Sequence, residues 1–192
     1  MLAKCDWLSL SYSPEDSPAD LIRTSAVAAG AEIASYNDGR KQIISIPGAS
    51  TISLESRRSF HYISVSGGVL ELYHILGQYE NLLAQLANSP HKITHLNAAY
   101  DVYTDAANVL DSLIESTPDG TAALTRKAVK ITQFMSVRSD GRRSGTLYYG
   151  HRSKARVTAR VYDKTLEALE KRKELLPPIT RYEITVKMVR PP

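Results

Sequence analysis

Gly145-Thr-Leu-Tyr-Tyr-Gly-His-Arg-Ser-Lys-Ala-Arg-Val-Thr-Ala-Arg-Val-Tyr-Asp163 decides the fold. Residues 145–151 and 157–163 each read as a strand, with tyrosines and cations interleaved among apolar positions. On the second strand alternate side chains share a face, so Arg160, Tyr162 and the following Lys164 point one way. Asp163 points the other way or caps a helix that starts after it. Of the adjacent Tyr148 and Tyr149, one is expected in the core with its hydroxyl at the rim, and the other on the open face.

Further strands flank this pair. Residues 129–137 come before it, with Asp140-Gly141 as a turn signal between. Residues 180–188 come after it, beyond a charged helix over 165–176 that Pro177-Pro178 ends. Toward the N-terminus, residues 6–13, 42–46, 60–66 and 93–103 also read as strands. A helix is expected over 18–29, with Ser17 as N-cap, Pro18 at its first position and Gly30 as its stop. Leu72, Ile75, Leu76, Tyr79, Leu82, Leu83 and Leu86 keep helical spacing, which predicts one long amphipathic helix over 69–87. Thr104 or Asp105 caps another through about Glu115, and a short helix is expected over 121–127. Strands in clusters with helices between them argue an α+β domain, a mostly antiparallel sheet with helices packed on one face. The whole chain, 1–192, is expected to form one domain.

Charge is segregated. From Arg126 to Lys164 there are eleven Lys and Arg against Asp140 and Asp163, a net +9. The chain as a whole carries +4, so the remainder carries −5. A basic block on an otherwise acidic chain is the footprint of a polyanionic partner, and its tyrosines add stacking faces for bases. No apolar run approaches the about 18 residues of a membrane span, and no secretory signal opens the chain. One cysteine, Cys5, excludes an intrachain disulfide and fits the reducing cytoplasm. Phosphate-binding glycine loops, zinc-finger spacings and Gly-x-Ser-x-Gly elbows are all absent.

Two other segments carry candidate chemistry. In the strand His95-Leu-Asn-Ala-Ala-Tyr-Asp101, His95, Asn97 and Asp101 share a face around Ala99, and His and Asp are good ligands for a divalent ion. In Thr180-Arg-Tyr-Glu-Ile-Thr-Val-Lys187, Arg181, Glu183, Thr185 and Lys187 alternate with Tyr182, Ile184 and Val186. A carboxylate in mid-strand is costly unless it meets water, a cation or a metal, so Glu183 is either a salt-bridge partner or a ligand.

Together, and in this order, these segments resemble the replication initiation factor family, the rolling-circle initiators of plasmids and filamentous phages, related to relaxases. Asp6-Trp-Leu-Ser9 resembles the family's first strand. Thr94-His-Leu-Asn-Ala-Ala-Tyr-Asp101 resembles its Arg-x-Asp-x-Ala-x-Asp strand. Leu147-Tyr-Tyr-Gly-His-Arg-Ser153, Arg160-Val-Tyr-Asp-Lys164 and Arg181-Tyr-Glu-Ile184 resemble its Tyr-x-Gly-x-Arg, Arg-hydrophobic-Tyr-Asp-Lys and Arg-x-Glu segments. The resemblance implies an antiparallel sheet that cradles origin DNA, single-stranded or hairpin, and a nick made by tyrosine transesterification with Mg²⁺ or Mn²⁺.

It also implies roles. Asp101 and Glu183 are metal ligands, with Asn97 and His95 standing where the family has Asp and Arg. Lys164 is the cationic stabiliser. Arg152 and Arg160 contact phosphates, and Arg143, His151, Lys154 and Arg156 extend the DNA-binding surface. A host helicase is a further implied partner. The family's nucleophile follows the Arg-x-Glu strand. Here no tyrosine comes after Tyr182, so either the nucleophile lies past residue 192 or Tyr149 or Tyr162 serves. The alternative is an origin-binding module that does not nick.

Overall fold

The computed structural model describes residues 3–123, 128–137, 141, 143–151 and 155–188. They fall into two compact units. One comprises Cys5–Asn97 with the segment from Met188, and the other comprises Lys4 with Ala98–Lys187.

The first unit contains β1 (Lys4–Tyr12), α1 (Ala19–Ala28), β2 (Glu32–Tyr36), β3 (Lys41–Ser45), β4 (Thr51–Arg57), β5 (Phe60–Ser66), α2 (Gly67–Ile75), α3 (Tyr79–Ala87) and the start of β6 (His91–Val102). Its strands lie in the order β2-β3-β4-β5-β1-β6. Antiparallel register sets Leu8 opposite Val65 and Leu10 opposite Ile63, while Ile52 and Leu54 face the same two residues from β4. These side chains form one apolar sheet face. It is buried against Ile22 and Ala26 of α1, Val69 and Leu70 of α2, and Leu82 and Leu86 of α3. On the opposite face Ser9 and Ser64 share a hydrogen bond of 2.8 Å, and Ser9 Oγ also accepts from Trp7 Nε1.

The second unit contains the end of β6, α4 (Ala106–Glu115), β7 (Thr121–Ala123), β8 (Ala128–Val137), β9 (Arg143–Tyr149), β10 (Val157–Asp163), α5 (Lys164–Arg172) and β11 (Thr180–Lys187). The order is β6-β11-β10-β9-β8-β7. Ile131, Leu147 and Val161 form its core face with Ala106 and Leu110 of α4, and Tyr149 and Tyr182 pack at the margin. Asp105 caps α4 by accepting from the Ala107 amide, and Asp163 caps α5 by accepting from the Leu166 amide. The α+β class and the mostly antiparallel sheet are as the sequence indicates. Among the described residues, no helix is long and apolar enough to cross a membrane.

Three helix expectations need correction, the smallest being that over 165–176, which ends at Arg172 with Lys173 in the left-handed region at φ 59°, ahead of Pro177-Pro178. The stretch 69–87 is two helices, because Gly77 stands in the left-handed region at φ 67°. The Gly77 amide donates to the His74 carbonyl and the Gln78 amide to the Tyr73 carbonyl, a Schellman close that ends α2. Helical periodicity runs on through the break, which is why the spacing looked continuous. It leaves Ile75 and Leu76 exposed instead of buried. Gly77→Ala is expected to lower stability by about 1 kcal/mol in a denaturant melt, since a β-carbon is costly in this conformation. The third correction is at 121–127. Its described part, Thr121–Ala123, is strand β7 paired with β8, and the rest lies outside the described residues. The strands β2 and β4 went unread, although β4 alternates Ile52 and Leu54 with polar neighbours.

Candidate nucleic-acid interface

Register in the second unit writes two rows across the face opposite α4. One runs Thr132, Tyr148, Arg160, Glu183, and the other Phe134, Thr146, Tyr162, Arg181. Asp101 of β6 joins the end of the second row through Arg181. Alternation along each strand thus brings Arg160, Tyr162, Asp101 and Glu183 to one face, while Tyr149 and Tyr182 turn to the core. Arg143 belongs to β9, and Arg152 and Lys154 lie outside the described residues. His151 and Arg156 are exposed in the β9–β10 connection.

The charged groups on this face are tightly engaged. Arg181 is 4% exposed and grips Asp101 with two parallel bonds, Nε to Oδ1 at 2.5 Å and Nη2 to Oδ2 at 2.6 Å. This fork is the strongest geometry available to an arginine and a carboxylate. Glu183, 2% exposed, accepts from Arg160 Nη2 at 2.6 Å. The Arg160 guanidinium also lies 4.5 Å from the centre of the Tyr162 ring, a cation–π stack, and its Nε is buried without a hydrogen-bond partner. Lys164 donates to Glu167 Oε2 at 2.6 Å, and Lys171 donates to Oε1 at 2.8 Å.

Asp101 and Glu183 have the hard oxygens that Mg²⁺ or Mn²⁺ takes. Here they form ion pairs, and among the described residues no group of three His, Cys, Asp or Glu side chains is placed to hold a metal ion. In the other unit, His95 Nε2 and Asn97 Oδ1 are 2.8 Å apart, and the His95 ring lies 6.3 Å from that of Trp7.

Protonation follows from these contacts. Burial pushes the Tyr162 phenol far above its ordinary value, and burial also raises Tyr149. Neither is poised to lose its proton. Burial alone would raise Asp101, but the hydrogen bonds and charge of Arg181, helped by Lys4 and Lys164, hold it below the usual carboxylate range. Glu167 is likewise raised by burial, then brought down to about 2 by Lys164 and Lys171. A carboxyl depressed in the folded state contributes stability that is complete above its unfolded value and lost as pH falls through the folded one. Between about pH 4.5 and 2, wild type should therefore lose on the order of 2 kcal/mol more than Glu167→Gln does. Chemical denaturation across that pH series checks it. Equal losses would remove Glu167 as the cause.

The same face opens into a cavity of about 340 Å³ between β8, β9, β10 and α5. Phe134 stands at it, 61% exposed, its ring edge-on to Tyr148 with centroids 5.6 Å apart. Gly145 faces β8 at close range, where an added β-carbon would lie 2.4 Å from the Phe134 carbonyl oxygen and 2.6 Å from Met135 Sδ. Phe134, Arg181, Glu167 and Glu170 were not singled out as separate site residues from the sequence. Phe134 had a signal, since it is an aromatic on the polar side of its strand.

No family model matches this chain, and no curated protein does. Among solved structures it is similar to the di-domain ARO/CYC BexL from the BE-7585A biosynthetic pathway. Identity is 11%, coverage is 98% of this chain and 86% of that one, and the TM-score is 0.24. A likeness that slight carries no argument about fold or function.

Proposed function

We propose that this chain is the origin-binding, DNA-processing domain of a rolling-circle replication initiator, acting in the cytoplasm on single-stranded or hairpin DNA. One observation carries it. The β8–β10 face, within a segment of net +9, presents exposed Phe134 and neighbouring Tyr148 beside the Arg160–Tyr162 stack. Aromatic faces accept unpaired bases of any sequence, and the surrounding cations follow the phosphates. The motif resemblance around Arg160-Val-Tyr-Asp-Lys164 and Arg181-Tyr-Glu183 gives this binding a purpose, initiation at an origin.

In such initiators a tyrosine oxygen attacks a phosphodiester. The phenol proton leaves to a base, the 5′ phosphate stays on the tyrosine, and the 3′ hydroxyl departs, so the bond energy is kept for rejoining. The second reading, binding without cutting, is favoured by the state of the candidate residues. Asp101 and Glu183 are held by arginines, and the phenols of Tyr149 and Tyr162 are packed and protonated.

The test is incubation with single-stranded DNA bearing the replicon's origin hairpin, with Mg²⁺ or Mn²⁺, run in parallel on a denaturing gel for nicks and adducts and on a native gel for binding. A nick with a protein–DNA adduct establishes the initiator. Retarded DNA without a nick establishes the binder. If the DNA is not bound, both readings fall. On the same DNA, Phe134→Ala is expected to weaken binding by about 1–3 kcal/mol, the worth of one stacked base, in anisotropy titrations. Affinity should fall steeply with salt.

A further inference from the structure

The cavity beside α5 is the size of a small-ligand site, at the lower end of the roughly 300–1,000 Å³ such sites span. We infer that it is a pocket for one unpaired guanine of the bound strand, an inference that rests on the single-stranded DNA reading above. Phe134 supplies the apolar wall. Its ring is held edge-on by Tyr148 and mostly exposed, which leaves a face for a base to lie on.

The α5 wall supplies the reading group. Two carboxylates line the cavity there, Glu167 and Glu170. Glu167 has both oxygens taken by Lys164 and Lys171. Glu170, one turn on, is exposed and has no hydrogen bond or ion pair with another described residue. An ionised carboxylate only accepts. Guanine is the base whose Watson–Crick edge offers two adjacent donors, N1–H and the N2 amino group, so it alone fills both oxygens. Adenine and cytosine set one amino donor beside a ring-nitrogen acceptor, and thymine flanks its single N–H with carbonyls. In those three an acceptor would face the second oxygen. Lys171, 70% exposed on the same wall, lies at the mouth where the strand's phosphate would pass.

The experiment is fluorescence anisotropy on labelled twelve-residue oligothymidylate and on versions with one central guanine, adenine, cytosine, inosine or 7-deazaguanine. Guanine and 7-deazaguanine should bind on the order of tenfold to a hundredfold tighter than plain oligothymidylate, the discrimination of one bidentate contact. Adenine, cytosine and inosine, which lacks the N2 amino group, should not. Glu170→Gln, with an unchanged thermal midpoint, should lose the guanine preference. Binding with no base preference, or a preference that 7-deazaguanine abolishes, overturns the pocket and leaves the DNA reading standing. Failure to bind any of these oligonucleotides overturns both.

Discussion

Glu183→Ala should lower the stability of the Ala98–Lys187 unit by about 3–5 kcal/mol, a large part of the roughly 5–15 kcal/mol that domains possess. The carboxylate is 2% exposed and its partner guanidinium is already short of one acceptor, at the buried Nε. Removing Glu183 strands a partly desolvated positive charge, and that penalty exceeds what the ion pair itself contributes. The double substitution Arg160→Met with Glu183→Ala should therefore recover most of the loss, because a well-packed apolar pair needs no counter-charge. Urea melts of the four proteins in the cycle measure the coupling. A near-neutral Glu183→Ala would mean the pair is not closed in solution, and the carboxylate would then be open to another ligand. Stability must in any case be measured before a lost activity in this variant is read as chemistry.

Leu147→Ala should cost about 2–5 kcal/mol. Leu147 is fully buried at the centre of the core row, between Gln133 and Val161 and beneath α4. Truncation removes apolar burial and leaves a void that a sheet braced on both sides cannot readily collapse. The neighbouring Tyr148 points to the opposite face, so the substitution acts on the scaffold of the interface and leaves its surface chemistry intact. Thermal melts should show the loss, and DNA affinity at a temperature where the variant stays folded should change little. A stability loss well under 1 kcal/mol would mean the core relaxes freely around the gap.

What the sequence made legible was local. Alternation placed 60–66 and 157–163 on the strands that β5 and β10 occupy, and it sorted Arg160 and Tyr162 from Val161. One tyrosine of the Tyr148–Tyr149 pair was expected inside, and it is Tyr149, packed at the α4 core. Asp163 was given two possible jobs, and capping is the one it does. The ion pairs were less accessible. Arg160 and Glu183 are 23 residues apart and Asp101 and Arg181 are 80 apart, so their meeting depends on strand order and register. Glu183 was read as either salt-bridged or metal-bound because a lone strand shows the carboxylate but not its neighbour. The long helix failed for the converse reason. Apolar periodicity records which side chains seek burial and is blind to one left-handed glycine that redirects the backbone. β2 was unreadable because Glu-Ile-Ala-Ser-Tyr offers a single strongly apolar side chain, with its partner Ile44 supplied from β3.

Gly145 gives the interface a control that adds no side chain to it. With no β-carbon on β9 at this point, the Phe134 carbonyl and Met135 sit closer than any other residue would allow. Alanine there pushes the β8 backbone outward and carries the Phe134 ring with it, while every side chain offered to DNA keeps its identity. Position 145 is thus a place where the spacing of a recognition surface can be tuned separately from its composition. In a saturation library selected for DNA retention it should return glycine, even though glycine offers the nucleic acid no side chain.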